Sequence, residues 1–191
     1  GMQLIFVDRS TYRQKAGDPS YAASFPGYHI VPEGGHNALG AKGCEEILSI
    51  QPTDNFTHIL CAAGTGTTLA GLINSALPHQ QVIGIPVLKG ARFLENEISQ
   101  LLNSAATDKW ELLYEFHGGG YGKYSAAQIN FMNSLYQETR LPTDIIYTGK
   151  LLMAFHELSI QSWFPADSRV LIIHTGGLQG NLSLGPDVLM F

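Results

Sequence analysis

The chain has 191 residues, 45% of them hydrophobic and only 14% charged, a globular composition long enough for one domain, or one and a half, with a substantial core. Its formal net charge of −5 and its pI near 5.7 argue against nucleic acid or an anionic membrane surface as a main partner. No apolar run reaches membrane-spanning length and no signal peptide opens the chain, which predicts a cytoplasmic protein.

In chain order, Gly1–Met2 reads as the scar of a removed tag, with native sequence from Met2. Leu4–Val7 already predicts a strand, so the chain starts without preamble, as a fragment or a naturally short product would. A polar, helix-like stretch over Ser10–Ser24 precedes a second short strand at Tyr28–Val31. Ala38–Ile50 has helical spacing, with Cys44, Ile47 and Leu48 on one face. Thr57–Ala62 is a near-continuous apolar run, the pattern of a strand covered on both faces.

A helix is expected over Thr67–Leu77, closed by Pro78, then a strand at Gln81–Val87 and a helix over Ala91–Asn103. Trp110–Tyr114 is a strand candidate. Ser125–Thr139 and Thr148–Gln161 read as helices, and Arg169–His174 as a final buried strand. This alternation predicts an α/β fold: a three-layer parallel sheet with helices on both faces. Cys44 and Cys61 both sit in apolar contexts and read as buried thiols of a reducing compartment.

In such a sheet, function gathers at the carboxyl ends of the strands. The glycine-rich or polar loops expected there are Pro32–Leu39, Ala63–Thr68, His117–Lys123, Tyr147–Lys150 and His174–Gly177. Ala63–Thr68 carries the clearest chemistry. It follows a buried strand and opens a helix, where free N–H groups and the helix dipole meet an anion. Gly64 and Gly66 allow close backbone approach, and Thr65, Thr67 and Thr68 add hydroxyl donors. The loop has neither a Walker ending nor dinucleotide-binding spacing, so a phosphate monoester is the expected ligand. The plainer alternative is a tight turn whose threonines cap the helix.

Four segments carry a resemblance: PEGGHNALG at Pro32–Gly40, AAGTGTTLAG at Ala62–Gly71, IYTGK at Ile146–Lys150 and IHTGG at Ile173–Gly177. In these, and in their order and spacing, the sequence resembles the 1-aminocyclopropane-1-carboxylate deaminase/D-cysteine desulfhydrase family, within the tryptophan synthase β-like enzymes that use pyridoxal 5'-phosphate (PLP). The resemblance covers essentially all of residues 1–191, which correspond to the C-terminal part of the family's usual length. It implies a tryptophan synthase β-like fold that is incomplete for want of an N-terminal part. It also implies an activity that converts D-cysteine or aminocyclopropane carboxylate to a 2-oxo acid and ammonia.

Family enzymes hold PLP as a Schiff base on a lysine of that upstream segment. None of the six lysines here (Lys15, Lys42, Lys89, Lys109, Lys123, Lys150) lies in a matching context, so the chain is expected to be inactive alone. The resemblance further implies that Gly64, Thr65, Gly66, Thr67 and Thr68 hold the cofactor's phosphate. It puts Tyr147 beside the pyridine ring, as an acid/base or substrate-orienting group, and the Thr175 hydroxyl near the pyridine nitrogen. Thr148 stands where members with deaminase activity have a glutamate, which favours the desulfhydrase-like branch. Gly176 and Gly177 would let the backbone pass close to the ring.

Asn37 reads equally as a substrate contact or as the cap of the helix beginning at Ala38. His117 and Tyr121 lie in a glycine-rich loop that either shapes the substrate entrance or is merely a turn. His36 and His174 carry less weight, because the seven histidines lack metal-ligand spacing, and no metal is expected. Glu45–Glu46 reads as a solvated helix face. A non-catalytic remnant or phosphate-binding module of the same fold is the rival reading; a cysteine synthase relative is weighed against by the Tyr-Thr-Gly-Lys motif. Surface that a missing part would cover predicts a homo-oligomer.

Overall fold

The computed structural model describes residues 3–16, 19–104, 106 and 108–191. The Gly1–Met2 reading lies outside these residues.

Among the described residues, four parallel strands form one sheet in the order β3-β2-β1-β4. They are β1 (His58–Ala63), β2 (Gln81–Pro86), β3 (Trp110–Leu112) and β4 (Val170–Ile173). β1 is central: His58 pairs with Gln81 on one side and with Val170 on the other. Its period-two alternation feeds two separate cores. Ile59, Cys61 and Ala63 face one layer with Val82, and Leu60 faces the other with Ile83 and Ile85.

Helices α3 (Ala38–Cys44), α4 (Thr67–Ser75) and α5 (Leu94–Ser99) build the first layer. α4 supplies Leu69, Ala70, Leu72 and Ile73, all essentially inaccessible to solvent. α3 crosses it closely at Gly71, where a methyl group would stand 2.6 Å from the Ala41 carbonyl oxygen. The second layer is α7 (Thr148–Ile160), whose Leu151 and Ala154 pack on the sheet at helical spacing. α6 (Ala126–Thr139), capped by Ser125 through the Gln128 N–H at 3.1 Å, lies against α7. Helices therefore cover both faces of a parallel sheet, as the alternation predicts.

Several local expectations need correction. Leu4–Val7 and Tyr28–Val31 are not strands. Among the described residues neither segment has a sheet neighbour to take its backbone hydrogen bonds, and Leu4, Phe6 and Tyr28 are exposed. The Ser10–Ser24 stretch is helical, as expected, in α1 (Arg9–Ala16) and α2 (Pro19–Ala23). Ala38–Ile50 and Ala91–Asn103 are each part α-helix and part 3₁₀ turn, with the turns at Glu45–Ser49 and Ala91–Phe93. β4 is half-buried, not buried, because it is the edge strand beside β1. Both cysteines are free; Cys61 is buried and Cys44 half-buried. Among the described residues, no helix is long and apolar enough to cross a membrane.

Candidate functional site

A cavity of about 590 Å³ opens at the carboxyl edge of the sheet. Every strand delivers a residue to its wall: Gly64–Thr68 follow β1, Leu88 follows β2, Tyr121 follows β3 and Thr175 follows β4. Glu33, Gly34 and Tyr147 complete the rim. This is the crevice that a parallel sheet forms beyond its strand ends.

The floor is the start of α4. Gly66 takes a left-handed conformation, φ 86°, and no side chain caps the helix. Its first N–H groups are the ones a helix leaves without partners. Gly66 has a second reason to be glycine, since a Cβ there would stand 2.6 Å from Ile98 Cγ1 of α5. The Thr65 and Thr67 hydroxyls are 3.1 Å apart, so the threonines bond to one another and do not cap the helix. Among the described residues no lysine, arginine or histidine lines the cavity, and the donors they bring are backbone N–H groups and hydroxyls. Such a donor set suits an anion at a helix N-terminus.

Tyr147 forms the opposite wall, with its ring close against Gly64: a Cβ there would stand 3.2 Å from Tyr147 Cε1. Burial first, then a hydrogen bond with Tyr121 and the nearby charges of Asp144 and Glu33, push the Tyr147 phenol well above the usual tyrosine range. It stays protonated at neutral pH. The two tyrosines meet edge to face, with ring centroids 6.1 Å apart.

Two buried polar groups support this pair. Asp144 is 1% exposed and lies just ahead of α7. Its Oδ2 accepts the Ile146 and Tyr147 N–H groups at 2.8 and 3.0 Å, which fixes the backbone that carries the phenol. Lys150 is 2% exposed, and its Nζ donates to the Gly120 carbonyl at 2.7 Å. It thereby ties α7 to the loop that holds Tyr121. Burial lowers the Lys150 ammonium to a pKa of about 8.

The structure thus brings Gly64, Thr65, Gly66, Thr67, Thr68, Tyr147 and Thr175 to one cavity. It does not bring Asn37 there. The Asn37 side chain accepts the Gly40 N–H at 2.8 Å and caps α3. Sequence reasoning missed Glu33, Leu88, Asp144 and the anchoring role of Lys150. An Asp four residues ahead of Thr148, at a helix start, is the one readable signal among them. Thr148 itself is fully buried and bonded to Asp144, away from the cavity wall.

No family model matches the chain. Similar proteins do exist. A protein of Thermotoga maritima provisionally named 1-aminocyclopropane-1-carboxylate deaminase is 27% identical over 191 residues, covering 92% of this chain and 57% of its own length. A Pyrococcus horikoshii protein of the same provisional name is also 27% identical, over 84% of this chain and 53% of its own. D-cysteine desulfhydrase of Yersinia pestis is 28% identical over the same shares, 84% and 53%. The chain spans about half the length of these relatives.

Among solved structures, an ACC deaminase homologue superposes with a TM-score of 0.75 at 24% identity, over 90% of this chain and 56% of that one. The O-acetylserine-dependent cystathionine β-synthase of Helicobacter pylori gives 0.56 at 18% identity, over 87% and 56%. The fold is therefore that of the ACC deaminase homologue and its β-synthase neighbours, and the sequence resemblance to ACC deaminase and D-cysteine desulfhydrase extends along most of the chain.

Proposed function

We propose that this chain holds the phosphate end of PLP and that the whole protein acts on a small amino acid, releasing ammonia and a 2-oxo acid. D-cysteine and aminocyclopropane carboxylate are the proposed substrate types, after the relatives' names. The observation that carries this is the uncapped, glycine-bent start of α4, opening onto a cavity to which all four strands contribute. Methyl groups at Gly64 or Gly66 would crowd Tyr147 or Ile98, so both positions stay bare where a phosphate must approach the backbone. The residues present fit the group.

When bound, PLP supplies an electron-accepting ring that stabilises charge developing at the substrate's α-carbon. Gly64, Thr65, Gly66, Thr67 and Thr68 would hold its phosphate through N–H and hydroxyl donors. The Thr175 hydroxyl would serve the pyridine nitrogen as a neutral partner. Tyr147, kept protonated by its surroundings, would donate a proton or orient the substrate; Tyr121 holds its edge.

Among the described residues no lysine lines the cavity, and the Lys150 amine is engaged with Gly120. This favours holding the cofactor over attaching it, and keeps a second reading in play: a phosphate-binding module without catalysis. The apolar side chains left exposed at Leu4, Ile5, Phe6 and Val31 support a homo-oligomer, which light scattering would test.

The experiment is an absorbance titration of the chain with PLP and with pyridoxal, followed by borohydride. The proposal expects saturable binding of PLP, far weaker binding of pyridoxal, and no lysine trapped by reduction. Equal affinities would remove the phosphate site. A lysine reduced onto the cofactor would overturn attachment-free binding. D-cysteine added to the full-length protein should yield sulfide and pyruvate; the module reading expects neither.

A further inference from the structure

The cradle is wired to the surface of the neighbouring helix. His36 follows the 3₁₀ turn Glu33–Gly35 and precedes the Asn37 cap, so α3 itself fixes where its ring lies. Its Nε2 is 2.9 Å from Glu97 Oε2 on α5. Its Nδ1 is 3.4 Å from the Thr67 hydroxyl oxygen, which in turn lies 3.1 Å from that of Thr65. Thr67 is 4% exposed, whereas the His36 and Glu97 side chains are 22% and 37% exposed. A carboxylate near solvent is thus joined, through one imidazole, to two of the hydroxyls that face the anion site.

Counting hydrogens shows what this chain does. An ionised carboxylate only accepts, so Nε2 carries a hydrogen in either protonation state of the ring. In the neutral ring Nδ1 can only accept, and Thr67 must spend its single hydroxyl hydrogen on the imidazole. In the imidazolium Nδ1 becomes a donor to Thr67 Oγ1, and the hydroxyl hydrogen is free for Thr65 or for an anion oxygen. A dianion in the cradle also favours the charged ring directly, by the attraction of opposite charges.

The other ionisable groups around His36 do not compete for this role. α4 brings no charged side chain. On α5, Glu95 accepts from the Tyr114 hydroxyl at 2.8 Å. On α3, Lys42 pairs with Glu45 at 2.6 Å. Glu33, on His36's own turn, accepts from the Tyr12 hydroxyl at 3.0 Å, and among the described residues the ionisable groups across the cavity are the phenols of Tyr121 and Tyr147.

We propose that His36, oriented by Glu97, is a proton switch for the cradle: binding a dianionic phosphate group draws a proton from solvent onto His36, which turns the Thr67 hydroxyl from a donor to the ring into a donor to the anion. This rests on reading Gly64–Thr68 as a phosphate site. Histidine changes charge between about pH 5 and 8, so anion affinity should fall as pH rises across that window.

The test uses the whole chain and inorganic sulfate, which keeps both charges throughout the window. Calorimetry in two buffers of different ionisation heat should show sulfate bound about tenfold tighter, or more, at the acid end, with uptake of about half a proton, or more, near the middle of the window. The His36 ring resonances of the unmutated protein should move towards imidazolium on adding sulfate. His36→Gln should bind sulfate with no pH dependence, and Glu97→Gln should move the dependence to lower pH. Binding that is flat with pH, or a dependence that survives in His36→Gln, overturns the switch and leaves the cradle standing. No binding at either end of the window overturns both.

Discussion

Asp144 and Thr148 are bonded in both directions: the Asp144 N–H donates to the Thr148 hydroxyl oxygen at 2.8 Å, while the Thr148 N–H and hydroxyl both donate to Asp144 Oδ1, each at 2.8 Å. With Oδ2 taking the Ile146 and Tyr147 N–H groups, one buried carboxylate accepts four hydrogen bonds at the start of α7. Thr148 therefore has a structural occupation, and its position is sealed from the cavity. A longer acidic side chain there would have to displace this bonding, so the threonine belongs with the backbone geometry that Asp144 imposes on Tyr147.

Removing the carboxylate should be costly. Asp144→Ala leaves three N–H groups and a hydroxyl without their acceptor in a dry site, and should lower unfolding free energy by about 3 kcal/mol. Thr148→Val, which keeps the volume, should cost about 1–2 kcal/mol. Urea denaturation reads both, and an Asp144→Ala midpoint equal to that of the unmutated chain would show that the network holds nothing.

Gly66 should be the least tolerant position of the cradle. Alanine there combines a positive φ of 86° with a Cβ only 2.6 Å from Ile98 Cγ1. The expected cost is about 1–3 kcal/mol of stability, together with loss of PLP affinity. Gly64→Ala should keep stability better, because its nearest contact is the Tyr147 ring at 3.2 Å, an aromatic edge that can shift. Its effect should fall on binding. If Gly66→Ala bound PLP as tightly as the unmutated chain, the loop would not be the phosphate floor.

The continuous apolar run of β1 was legible, as was the helix of α6, because burial on both faces and helical spacing each leave a local pattern. Leu4–Val7 has the right pattern and no partner strand, and a strand is a property of the pair. The cavity floor was readable from Gly64–Thr68, because a glycine- and threonine-rich turn between a buried strand and a helix is also a local pattern. The Glu97–His36–Thr67 chain was not, since α5 meets the Pro32–His36 segment only in the folded chain. Tyr121 was half-legible. Gly118, Gly119, Gly120 and Gly122 all have positive φ, a left-handed course held by the Lys150 bond to Gly120 and by the bonds of Gly119 and Gly120 to His117. Glycine richness alone cannot separate such a course from a loose turn.

Tyr147 should titrate above the normal tyrosine range, chiefly from burial and secondly from its hydrogen bond with Tyr121. NMR of ring-labelled tyrosine, assigned by Tyr147→Phe, reads this directly. Tyr121→Phe should bring the value down in part only, because burial remains. A Tyr147 that ionises with the exposed tyrosines would remove the case for a phenol held protonated over the cavity.

Lys150 gives the stability a specific dependence on pH. Burial lowers its pKa from the ordinary 10.5 to about 8, so between those values the unfolded chain holds more protons on this residue than the folded one. Stability contributed by Lys150 therefore rises as pH climbs from 8 to 10.5. Cys61 and Tyr114, both raised to about 12 by burial, act in the opposite sense: above their ordinary values the folded state holds the extra proton, and stability falls. The native curve alone mixes these contributions, so the measurement must be a difference. Lys150→Met keeps an aliphatic stem beneath Gly118 while removing the amine. The unfolding free energy of the native chain minus that of Lys150→Met should increase across pH 8 to 10.5, whatever its sign at neutrality. A difference that stays constant through the window would mean that the amine is as well solvated as in the unfolded chain, and that Gly120, and with it Tyr121, is held by something else.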